Sequence, residues 1–95
     1  MNVSVAELRQ IATQLFHHLE HRGYDELTLE NDYYWEIDRE QRYDPNRDPS
    51  EFTLGQVSHD VERLRRIGSG EDEPVAYALV WLATVLREAG EQVLG

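Results

Sequence analysis

The residues best suited to chemistry in this chain are its histidines. His17, His18 and His21 form the run His-His-x-x-His. His17 and His21 stand four apart, so on a helix they share one face, the spacing a two-histidine metal site uses. A structural or catalytic zinc site needs a third ligand and commonly a fourth, and His18 and Glu20 would point elsewhere on that helix. The pair reads as solvated, and no metal is expected. A calcium loop is the next candidate, because Asp44-x-Asn46-x-Asp48 alternates oxygen donors as an EF-hand loop does. Pro45 interrupts it, the required glycine does not follow, and Gly55 stands where the closing glutamate belongs. It carries no calcium expectation.

With 19 Asp+Glu, close carboxylate pairs arise by chance. Acid–base chemistry needs carboxylates of unequal environment inside a pocket, and a domain of this size has little room for one beside its core. There is no nucleophile elbow, phosphate-binding loop or His-Glu-x-x-His run. The chain has no cysteine, which excludes disulfides, cysteine-ligated zinc, iron–sulfur clusters and thiol catalysis. It reads as a non-enzyme without a cofactor, and no catalytic, cofactor-binding or metal-binding residue is assigned.

Charge is the stronger signal. Against the acids stand nine basic residues, every one an arginine, for a net charge of −10 and a pI of about 4.6. Binders of nucleic acids and anionic membranes need cations to replace counterions, so direct binding to either is not expected; a basic protein is the favoured partner. Residues 20–51 hold 11 acids and four arginines, a local charge of −7. Residues 33–52 add Tyr33, Tyr34, Trp35, Tyr43 and Phe52. If Tyr33 and Trp35 face the core, strand alternation turns Tyr34 outward among Glu36 and Asp38. An exposed tyrosine among acids suits a basic partner. The residues assigned to such a surface are Glu30, Asp32, Tyr34, Glu36, Asp38, Glu40, Tyr43, Asp44 and Asp48. Ten net charges spread over a domain about 30 Å across give about one charge per 3 Å, about half the density of duplex DNA. That density permits nucleic-acid mimicry without requiring it.

The elements that position these residues follow from periodicity. Ser4 and Glu7 form a capping box, Val3 and Leu8 a staple pair. Val5, Leu8, Ala12, Leu15 and Leu19 form one helical face, and Gly23 suits the left-handed stop. A helix is predicted over 5–22. Leu27 and Leu29 alternate with polar residues, Asn31-Asp32 offers a turn, and Tyr33, Trp35 and Ile37 alternate again, which predicts a hairpin over 27–37. Residues 38–52 form a loop punctuated by Pro45 and Pro49, with room for one helical turn at 39–43. Thr53 and Gln56 suggest a second capping box and a helix over 54–67, broken by Gly68-Ser69-Gly70. Pro74 opens a nearly all-apolar helix over 74–89, with a frayed tail at 91–95. The expected fold is one small α+β domain spanning 1–95 in the order α-β-β-α-α, its helices and hairpin gathered around a buried C-terminal helix.

Asp32-Tyr33-Tyr34-Trp35, then Leu54-Gly55-Gln56 with Asp60, then Tyr77 to Arg87 (Tyr-Ala-Leu-Val-Trp-Leu-Ala-x-Val-Leu-Arg) resembles a pattern in small bacterial proteins with no established activity. The resemblance covers residues 24–88, implies a single bacterial domain and transfers no site residue. The opening residues show no signal peptide, and the longest apolar run, 75–86, is too short to span a bilayer, so a cytoplasmic protein is expected. Function is expected to be protein interaction. One form is an inhibitor or immunity-type protein that acts on nucleic-acid-handling machinery by charge mimicry, as anti-restriction and anti-CRISPR proteins do. The alternative is a small self-associating structural subunit, a homodimer built on the apolar last helix.

Overall fold

In a computed structural model the chain is described over residues 1–68 and 75–95. The elements run α1 (Val5–His21), β1 (Tyr33–Ile37), α2 (Arg39–Arg42), β2 (Phe52–Gln56), α3 (Val57–Gly68) and α4 (Val75–Leu94). The fold is a small α+β domain. With the single turn of α2 set aside, its order is α-β-β-α-α.

Local signals account for α1. The Ser4 hydroxyl accepts from Glu7 N at 3.0 Å. At the other end Gly23 has φ 92°, Gly23 N donates to Glu20 O and Tyr24 N to Leu19 O, each at 3.0 Å. This is a Schellman motif, with glycine in the left-handed position that a Cβ would disfavour. Arg22 becomes the cap rather than the last helical residue.

The hairpin differs from the expected one. Residues 27–32 form no strand, and Asn31-Asp32 is not its turn. β1 pairs antiparallel with β2 in the register Tyr33↔Gln56, Tyr34↔Gly55, Trp35↔Leu54, Glu36↔Thr53 and Ile37↔Phe52. Phe52-Thr53-Leu54 combines aromatic, β-branched and alternating residues, as strands favour, and this outweighs the capping-box reading of Thr53. The connection is long, and buried Gln41 ties it together. Its side chain donates to Ser50 Oγ at 3.1 Å and accepts from Ser50 N at 2.9 Å.

α3 accordingly begins at Val57 rather than at residue 54. Its cap comes from a distant part of the chain. Val57 N donates to the Asp32 carbonyl at 2.6 Å and Ser58 N to Asp32 Oδ1 at 2.7 Å. A carboxylate at this end also meets the positive pole of the helix. On its flank Arg66 pairs with Glu62 at 3.2 Å, at the i,i+4 spacing. The expected break at Ser69-Gly70 and the expected helix start at Pro74 lie outside the described residues.

α4 runs through Gly90 to Leu94, beyond the expected end at 89, so the 91–95 tail is mostly helical. A glycine inside a helix costs about 1 kcal/mol. Half-buried Gln92 and Val93 beyond it give the last turn packing that offsets this cost. α4 packs against α3 but is not buried on all sides. Tyr77, Leu79, Val80, Leu82 and Leu86 remain exposed. The interior is correspondingly small and polar: Val57 is 4% exposed and Asp60 3%, with Gln41 and Glu88 also buried.

Candidate interaction surface

Alternation along β1 divides the hairpin into two faces. Tyr34 lies on the inner one. Its hydroxyl donates to Asp60 Oδ2 at 2.6 Å, and the Thr84 hydroxyl reaches the same oxygen at 2.6 Å. Asp60 therefore joins the sheet, α3 and α4. Arg63 stands 3.8 Å from its other oxygen and covers the Trp81 ring at 5.2 Å. Partial burial and the hydrogen bond to Asp60 push the Tyr34 phenol up to about 12. The ring of Tyr34 lies over Gly55, so close that a Cβ there would collide with it.

This reverses the expected orientation. Tyr34 is not a solvent-facing anchor; Tyr33 and Trp35 are the outward residues. The physical reason is pairing. Once Tyr34 stands opposite Gly55, the missing side chain leaves room for its ring, and buried Asp60 takes its hydroxyl. The outer face then carries Tyr33, Trp35 and Ile37 beside Gln56, Leu54 and Phe52. Trp35 is 70% exposed and meets Phe52 edge to face at 6.3 Å. Tyr33, Leu54 and Phe52 are exposed as well. Phe52 and Leu54 were missing from the sequence-derived surface because their strand was read as a cap and a helix turn. The alternation Phe52-x-Leu54 was the available signal.

The acids divide in a similar way. Asp32 is a structural cap, and it also accepts from Gln56 Nε2 at 2.7 Å. Its hydrogen bonds, first that from Gln56 and then that from Ser58 N, hold its carboxyl below the usual range. Glu36 pairs with Arg42 at 2.9 Å, and Arg42 also donates to the Ile37 carbonyl at 2.8 Å. Asp44 accepts from Asn46 N at 3.1 Å, an Asx turn. Glu30, Asp38, Glu40 and Asp48 are exposed, and Tyr43 is 77% exposed. An open depression of about 500 Å³ lies between Glu36, Ile37, Asp38, Arg39, Glu51 and Thr53 at the end of the sheet.

The rings of His17 and His21 stack at 6.5 Å on α1. Among the described residues no group of three His, Cys, Asp or Glu side chains is arranged to hold a metal ion. No described helix is long and apolar enough to cross a membrane. No protein-family model matches the chain, and neither a curated protein nor a solved structure is significantly similar to it.

Proposed function

We propose that the protein is a non-enzymatic interaction module that binds a basic protein surface through the outer face of its hairpin. The observation that carries this reading is the exposed cluster of Trp35, Phe52, Leu54 and Tyr33 beside the acidic connection. Exposed aromatics at the centre with charge at the rim are the anatomy of a binding patch. Asp38, Glu40 and Asp48, exposed in the connection between the two strands together with Tyr43, favour a partner rich in arginine or lysine. An inhibitor or immunity-type protein directed at a nucleic-acid-handling enzyme is the narrower form of this proposal. It receives less support than the general one, because Asp32, Glu36 and Asp44 are engaged in bonds within the chain.

The test is affinity capture with wild type and with Trp35→Ser, washed at low and at high salt. Trp35 does not take part in the Asp60 network, so its loss should leave the fold intact. The expected result is a basic protein held by wild type, released by salt, and bound at least about 30-fold more weakly by Trp35→Ser, as for a central aromatic anchor. Equal capture by the variant, or capture of no basic protein, refutes the reading. Steep salt dependence without any loss in Trp35→Ser would favour charge mimicry instead.

A further inference from the structure

We propose that two copies of the chain form a dimer in which α1 of each copy covers the outer stripe of α4 of the other. The first ground is area. The chain exposes 8259 Å², whereas a folded monomer of 11.1 kDa exposes about 5,700 Å². The excess, about 2,600 Å², is more than one partner contributes to most obligate dimers. The radius of gyration agrees, at 15.2 Å against about 12 Å for a compact domain of this length.

The second ground is where the uncovered apolar surface lies. α1 buries none of its residues and has no extensive contact with another element. Yet Val5, Leu8, Ala12, Leu15 and Leu19 recur at spacings of three and four, the seam of a helix built to pack lengthwise. Leu15 is 59% exposed. On α4, Ala78, Trp81, Val85 and buried Glu88 mark the covered side. Val75, Leu79, Leu82 and Leu86 form a separate stripe at the same spacing and are exposed. The two helices, of 17 and 20 residues, are about 25 and 30 Å long, a close match for side-by-side packing.

Charge selects the occupant. Neither stripe contains a charged residue, so they offer a basic partner nothing to pair with, and the equally uncharged stripe of a second copy suits them better. The reciprocal contact closes under a twofold axis, which prevents open-ended growth. This inference is independent of the hairpin reading, since the two faces share no residue.

Light scattering on size-separated full-length protein tests it directly. The expected mass is twice the 11.1 kDa of the chain. Leu15→Glu and Leu82→Glu should each lower the mass to that of one chain, while Trp35→Ser should leave it doubled. Where the glutamate variants fail to fold, the wild-type mass still decides, together with exchange between two differently tagged copies. A wild type that remains monomeric at millimolar concentration overturns the proposal, and so does a dimer dissociated by Trp35→Ser but not by Leu82→Glu.

Discussion

Removing the Tyr34 hydroxyl probes the junction that joins sheet and helices. Tyr34→Phe keeps the ring over Gly55 and deletes one bond, the 2.6 Å contact with Asp60 Oδ2. Asp60 keeps Thr84 as a partner, so the carboxylate loses one bond and not its last. A hydrogen bond to a charged group contributes about 1.5–3 kcal/mol. In a domain of this length each kcal/mol moves the melting temperature by about 4–8 °C. A loss of about 2 kcal/mol thus lowers it by about 8–16 °C, measured by thermal unfolding followed by circular dichroism. An alkaline titration followed by phenolate absorbance gives an independent readout. The folded-state value of about 12 lies above the ordinary 10, so this contribution is fully present below pH 10 and is lost as pH rises through about 12. Tyr34→Phe should remove that late step. In an Asp60→Asn background the same change should cost about 1 kcal/mol less, the signature of a coupled pair. An unchanged melting temperature, with the late-titrating tyrosine still present, would refute the network.

Two further substitutions test the parts of the fold that sequence reading placed wrongly. Gly55→Ala drives a methyl group into the Tyr34 ring and should destabilise by about 1–3 kcal/mol, measured by urea unfolding; a neutral effect would mean that Tyr34 is not seated there. Asp32→Asn should lower the melting temperature at neutral pH and flatten its acid dependence. Because the Asp32 carboxyl is held below its ordinary 3.8, its contribution is present above that pH and fades as pH falls through the depressed value. Identical acid unfolding curves for wild type and variant would remove Asp32 from its capping role.

The contrast between α1 and the hairpin shows what the sequence could reveal. Every determinant of α1 lies within a few residues of it: Ser4 with Glu7 at one end, Gly23 at the other. The β1–β2 pair depends on residues about 20 apart and on a connection with no compact turn signal. Asn31-Asp32 is a turn signal that points to a nearer but unpaired segment. Without β2, Gly55 has no cross-strand neighbour in the sequence pattern, and nothing local marks Tyr34 as the inward tyrosine. Asp32, chosen as an exposed acid, is a cap whose helix begins 25 residues later, a relation that no local pattern displays. Asp38, Glu40, Tyr43 and Asp48 are exposed in the proline-broken connection, and Glu30 is exposed ahead of β1. Gly90 misled for the opposite reason: a helix-stop signal is weak when packing continues beyond it.

The small interior and the large exposed surface follow from one allocation of residues. Hydrophobic burial is the main favourable term in folding, yet among the described residues the buried set is Val57 with the polar Asp60, Gln41 and Glu88, and Asp60 is the one bonded across elements. The Asp60 junction orients the elements it joins, since each bond fixes a direction, but a few such bonds supply only a few kcal/mol. The apolar residues that would supply the remainder lie outside, on α1, on α4 and on the hairpin. Their surroundings differ. The helix stripes are uncharged and matched in length, so a second copy can cover them. β1 lies within a segment of charge −7, which on the proposed reading favours a basic partner over a second copy. On the two proposals together, dimerisation completes the fold and leaves two hairpin faces outward, related by the twofold axis. A basic partner with two sites at the matching spacing would then bind with an avidity that neither face has alone.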